Sequence, residues 1–116
     1  MVDLDKLMNL AGAVAAFEYG DGGKLVDSRI DEEGPLDKTM LDLLCHMCAA
    51  NTCIATMQAR GWESVTGSTG FYPVQGFTLV GFEWSTVTHA RHGVVLRNDQ
   101  VDYESAYQAL EEQVQE

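Results

Sequence analysis

Three cysteines lie within nine residues, Cys45, Cys48 and Cys53, in the spacing C-x2-C-x4-C with His46 beside the first. Thiolates act as nucleophiles, redox centres and metal ligands. On a helix, Cys45 and Cys48 lie about 60° apart and Cys45 and Cys53 about 80° apart. Thiols at i and i+3 can share a metal. The third lies roughly 12 Å along the axis at 1.5 Å per residue, so one chain cannot close a tetrahedral zinc site from these three. Free cysteine is also a common small buried residue, which makes packing the simplest role for all three. The sharper alternative is a sulfur-carrying or redox thiol at Cys45 or Cys48. It needs exposure and a nearby cation, and Lys38 and Arg60 are both distant along the helix.

Other motifs are less specific. His89 and His92 form H-x2-H with Arg91 between them, a spacing common at strand turns and without nearby acids to make a metal site. GDGG at 20–23 lacks the Lys-Ser/Thr ending of a phosphate loop and reads as a turn. Neither G-x-S-x-G nor H-E-x-x-H occurs. No catalytic residue, metal or cofactor is therefore assigned, and an enzyme is not expected. Trp62, Phe71, Tyr72 and Trp84 cluster around a loop and a strand end. With Asn51 they form a candidate partner or ligand surface, since aromatics are enriched at interface hot spots. The blander reading is that they anchor the loop and core.

Length and composition bound the rest. The chain has 116 residues, 46% of them apolar, enough for one domain spanning 1–116 with a real core. Its formal charge of −11 argues against nucleic acid and anionic membranes, which attract basic patches. The segment MVDLDKLMNL lacks the basic and long apolar stretches of a signal peptide. The uncharged run 43–59 reads as too short and too polar to span a bilayer. An odd number of clustered cysteines suggests reduced thiols. A cytoplasmic protein is the expectation.

The elements that carry these residues follow from caps and periodicity. Asp3 can cap a short helix over 3–10. GAVAAFEY (12–19) and KLVDSRI (24–30) read as strands joined by the GDGG turn. Pro35 and Gly61 bracket a long helix over 35–60, about 39 Å at 1.5 Å per residue. Residues 61–75 read as a Gly- and Ser-rich loop. FTLVGFEW (77–84), STVTHAR (85–91) and HGVVLRN (92–98) read as a meander. Asp102 can cap a last helix whose apolar stripe is Tyr103, Ala106, Tyr107, Leu110 and Val114. The order α-β-β-α-β-β-β-α implies an α+β fold with a five-stranded antiparallel sheet.

The long helix has 17 residues, 43–59, without a single Lys, Arg, Asp or Glu. An ordinary surface helix exposes a charged face. On a wheel, Leu36, Met40, Leu43, Leu44, Met47, Asn51 and Ile54 share one sector, expected to lie on the sheet, with Asn51 a buried amide in need of partners. Lys38, Cys45, Ala49, Thr52, Cys53 and Thr56 share the opposite one. Its small side chains suggest close packing on a second copy of the chain, a homodimer whose interface is Cys45, Ala49, Thr52, Cys53 and Thr56. Burial within one subunit is the alternative.

The stretches LDKLMNLAGAVAAFEYGDGGKLV (4–26), MCAANT with MQARGW (47–52, 57–62) and GFTLVGFEW (76–84) resemble the roadblock/dynein-light-chain-like proteins of the profilin-like fold. They are most similar to a small bacterial family of roadblock-like proteins of unknown function, often found in sulfur-oxidising bacteria. The resemblance covers nearly the whole chain. It implies a homodimer with joined or adjacent sheets and central helices packed together. It also implies a non-enzymatic scaffold or regulator with a protein partner, often a small Ras-like GTPase. It carries over no catalytic residue. The three cysteines and the long Gly-rich 65–75 segment depart from the general pattern, leaving a sulfur-metabolism partner, a sulfur-carrier thiol protein or a small-molecule sensor as alternatives.

Overall fold

The structure is a computed structural model that describes residues 3–115, with side chains through Gln113. Asp3 caps helix α1 (Leu4–Leu7) by accepting from the amides of Asp5 and Lys6. The helix is shorter than the expected 3–10 because Asn9 and Leu10 bond back three residues, to Lys6 and Leu7, tightening the chain into a turn. Strands β1 (Ala13–Tyr19) and β2 (Leu25–Ile30) follow as the expected hairpin. After the long helix α2 (Lys38–Thr66) come β3 (Thr78–Val80), β4 (Trp84–His89), β5 (His92–Arg97) and helix α3 (Tyr103–Gln115). The strands form one antiparallel sheet in the order β2-β1-β5-β4-β3. The expected α+β architecture and element order hold.

The sheet separates two cores. Leu4 and Leu7 of α1 and Ala106 and Leu110 of α3 pack on Ala16, Val87, Val94 and Leu96 on one face. Leu41, Cys45 and Cys48 of α2 pack on Val14, Ala15, Phe17, Tyr19 and Val95 on the other. Strict alternation would send Val14 and Ala15 to opposite faces. The register slips between Ala13 and Ala15 against β5, a bulge that turns both toward α2. At the start of α3, Asp102 accepts from the amide and hydroxyl of Ser105, which hold its carboxyl below the usual range. Of the expected α3 stripe, Ala106 and Leu110 are buried, Tyr107 is half-buried and Tyr103 is exposed, its hydroxyl 2.9 Å from that of Ser85. Val114 lies outside the residues whose side chains are described.

Three boundaries differ from expectation. α2 starts with Asp37, not Pro35: the Asp37 carboxylate accepts from the Met40 amide at 2.9 Å. Leu36 before the cap and Leu41 within the first turns both join the α2-side core, a hydrophobic staple that fixes the entry of the chain. α2 ends at Gly67 (φ 72°), whose amide bonds Glu63, so Gly61 is an interior residue and the loop begins at 67, not 61. The segment FTLVGFEW is not one strand. Its chain bends at 81–83, where Asn98 Nδ2 donates to the carbonyls of Gly81 and Phe82. By length and composition α2 is also sufficient to cross a membrane, more than the 43–59 run alone suggested. In the structure one side of it packs on the sheet through Leu41, Cys45 and Cys48.

The glycine inside α2 and the glycine that caps it give opposite predictions. A Cβ on Gly61 meets nothing within 4 Å, so Gly61→Ala should stabilise by about 0.4–1 kcal/mol through helix propensity. Gly67→Ala should destabilise by about 1 kcal/mol, because only glycine adopts the left-handed cap without cost. Thermal melts that show a higher midpoint for Gly61→Ala and a lower one for Gly67→Ala test the helix end. The reverse pattern would restore a cap at Gly61.

Candidate functional site

α2 approaches the β1–β2 turn closely, and this contact bears on its rotation on the sheet. Gly23 (φ +90°) sits under the helix, and a Cβ there would lie 2.9 Å from His46 Cα and 3.1 Å from Ala49 Cβ. Nearby, Asp42 Oδ1 accepts from the Leu25 amide at 2.9 Å, tying the helix to the start of β2. This turns the small residues inward, so the expected dimer interface is corrected. Cys45 is fully buried against the sheet. Ala49 packs on the same core, and Thr52 and Thr56 are half-buried, with Thr56 Oγ1 donating to the Thr52 carbonyl. Among those five residues, Cys53 alone is exposed, on the flank of the helix.

The sector expected to lie on the sheet is correspondingly turned outward. Met40, Leu43, Met47 and Ile54 are exposed, continued by Met57; Leu43 is 64% and Met57 73% accessible. Leu36 and Leu44, at the margin of that sector, are half-buried. Asn51 is an exposed residue rather than a buried amide, and its Nδ2 donates to the Met47 carbonyl of its own helix. Sequence reasoning placed these side chains on the correct common face but on the wrong side of the helix, because large apolar residues normally mark the core. It missed Met57 and the edge strand as parts of the same surface.

α2 covers only the β1–β2 side of its sheet face. Over β4 and β3 lies an apolar groove of about 310 Å³, walled by Met40, Leu44 and Met47 of the helix and by Leu79, Trp84 and Thr86 of the strands. The groove opens onto the sheet edge. There, β3 is exposed at every residue, and Val80 and Phe82 project into solvent, Phe82 at 99% accessibility. The surface therefore runs without a charged residue from the α2 stripe across the groove to the β3 edge.

The other expected surface is partly assembled. Trp62 and Phe71 stack edge to face with centroids 5.3 Å apart. Tyr72 accepts from Arg60 Nη2 at 2.6 Å, with the guanidinium 4.6 Å from its ring centroid. These contacts hold the 67–77 loop against the end of α2, and between loop and helix lies an open cavity of about 570 Å³ lined by residues that include Ala59, Trp62, Phe71, Val74 and Tyr107. Trp84 and Asn51 do not join them: Trp84 lies in the groove and Asn51 farther along α2.

The potential chemistry of the cysteines is constrained by burial. It pushes the Cys45 thiol up to about 12, assisted by Cys48 and Asp42, and the Cys48 thiol also up to about 12. Both stay protonated at neutral pH and are closed to solvent, so neither serves as a sulfur-carrying nucleophile there. His46 Nδ1 lies 2.7 Å from the Asp42 carbonyl of its own helix. His89 and His92 are cross-strand neighbours at the β4–β5 turn, and His89 packs edge to face on Tyr107 at 5.3 Å. They are buried or half-buried, not surface residues, and burial lowers the His92 pKa against the pull of Glu18. Among the described residues, no three His, Cys, Asp or Glu side chains converge as a metal group.

The domain is three-layered, α/β/α, with an exposed apolar surface over one part of its sheet. A family model described as "Uncharacterized conserved protein (DUF2173)" matches residues 3–112. The chain belongs to this family. No curated protein matches the sequence. Among solved structures it is similar to a Roadblock/LC7 domain from Streptomyces avermitilis, with 11% identity, a TM-score of 0.69, and 97% of this chain and 88% of that one covered. It is similar to the gliding protein MglB from Thermus thermophilus, with 17% identity, a TM-score of 0.66 and coverage of 94% and 86%. An MglB structure with a tetrameric arrangement gives 18% identity, a TM-score of 0.65 and coverage of 94% and 85%. At these identities the likeness establishes a roadblock-like fold for this DUF2173 member.

The burial of two thiols gives a direct test. A thiol reagent at pH 7–8 should label at most Cys53 in the native protein, with Cys45 and Cys48 reacting only after denaturation. Mass mapping that finds rapid native labelling at Cys45 or Cys48 would overturn their placement. Both folded thiols titrate above their ordinary value of 9.0. The stability they contribute is therefore full below pH 9 and is lost as pH rises toward about 12.

Proposed function

We propose that this protein is a non-enzymatic, homodimeric roadblock-like interaction module that presents a composite surface to a protein partner. The observation that carries the proposal is the uncharged surface formed by the α2 stripe, the groove and the β3 edge. An exposed apolar face of this extent is a liability for a monomer, and an unprotected edge strand invites pairing. A second copy related by a twofold axis covers both at once, with helix α2 set against its mate and the two sheets joined along β3. The family resemblance supports the same arrangement. It also supplies the partner class, a small Ras-like GTPase, with a component of a sulfur-metabolism complex as the narrower alternative. The high negative charge suits a partner with a basic surface. Three free cysteines suit a reducing cytoplasm. The sulfur-carrier reading loses Cys45 and Cys48 to burial and retains only Cys53.

The dimer is tested by Met47→Glu. Met47 is exposed in the protomer, so the variant should keep its helix content by circular dichroism. A charge at the centre of the covered face should weaken dimerisation roughly 100-fold or more. Native mass spectrometry and light scattering should then give a folded monomer where the unmodified protein gives a dimer. A Met47→Glu dimer of unchanged affinity would place the interface elsewhere. Ala49→Glu should instead unfold the protomer, because it drives a charge into the contact with Gly23.

A further inference from the structure

We infer that Phe82 of each copy seats in the cavity beneath the 67–77 loop of the other, locking the register of the two joined sheets. This inference rests on the dimer proposed above and adds a residue that the second copy contributes to an otherwise open cavity. Phe82 is fully exposed, yet its turn is held firmly. Asn98 donates to the carbonyls of Gly81 and Phe82, its own amide donates to Glu83, and Gly81 donates to Trp84. An aromatic held in water on a pinned turn loses little freedom when it is buried, which is how interface anchors are built.

The edge hydrogen bonds select the receiving site. Phe77 accepts from Thr88, Gly81 donates to Trp84, and Leu79 faces Thr86, so the alternation points the amides and carbonyls of Thr78 and Val80 away from β4. Antiparallel self-pairing uses all of these outward groups on both copies only when Thr78 faces Val80. In that register the turn at Phe82, where the chain leaves the edge and doubles back from Gly81 to Trp84, comes to the end of the paired strands beside Gly76 of the second copy. Gly76 and Gln75 border the 570 Å³ cavity whose apolar wall includes Ala59, Trp62 and Val74. The cavity and the exposed ring thus fall at opposite ends of one short strand, where a twofold axis through Leu79 brings them together twice.

The test uses Phe82→Cys and Gln75→Cys, alone and combined, in the full chain carrying Cys53→Ser. Both positions are exposed, so the protomer should fold normally. On mild oxidation the double variant should give a covalent dimer, and each single variant should not, because like residues lie far apart in this register. Phe82→Ala should weaken the dimer by at least roughly tenfold. A dimer by native mass spectrometry without the crosslink, or with Phe82→Ala of unchanged affinity, overturns the seating of Phe82 and leaves the dimer standing. A monomeric unmodified protein overturns both.

Discussion

The contact of α2 with Gly23 is the constraint on which the rest of the structure depends. The helix can approach the β1–β2 turn so closely only because no Cβ intervenes at that position. Once it does, its inner face must be small, and Cys45, Cys48 and Ala49 meet that requirement. The larger Leu43, Met47, Ile54 and Met57 are left on the outside. The same contact places the helix over β1 and β2, which leaves the sheet face beside β3 and β4 open as a groove. Helix rotation, thiol burial and exposure of the candidate interface therefore share one cause.

The element order was legible because its signals are local. Asp3 and Asp102 cap helices by short-range bonds, and GDGG closes a hairpin between two adjacent strands. The boundaries that went astray depend on less local facts. Gly61 carries the residue type of a cap, but Trp62, Glu63 and Val65 continue the helix to Gly67. The β4–β5 turn, by contrast, falls where the sequence divides the two strands: β5 starts at His92 as expected, and the turn is made by Ala90 at φ 56° and Arg91 without a glycine or asparagine. The bend at Gly81–Glu83 is held by Asn98, which no reading of 77–84 alone could supply.

The candidate site was legible as a problem rather than as a solution. The absence of charge over 43–59 corresponds to a helix that packs small residues on the sheet and leaves large apolar ones exposed on its outer face. Which face the fold itself covers depends on the size of the opposing surface, and hydropathy does not report that. Large apolar residues ordinarily pack inside because they bury more area. Here the backbone of the β1–β2 turn occupies the space that a Leu or Met would fill. The cysteines, which read most readily as chemistry, are in part the small residues that let the helix close on the sheet.

The two edges of the sheet strengthen the argument for a second copy. At the β2 edge, Arg29 pairs with Asp27 at 3.0 Å and with Asp5 at 2.9 Å, placing charges where another strand would dock. Such charges are a common means of blocking edge association. At the β3 edge the exposed residues are Thr78, Leu79 and Val80, followed by Phe82. Both edges end the same sheet and face the same solvent, so general solubility does not account for the difference. An edge left uncharged beside an apolar groove, in a chain with a net charge of −11, is the arrangement expected where association is confined to one side. The charge that keeps other surfaces apart is absent where the groove, the helix stripe and the free backbone groups of β3 meet.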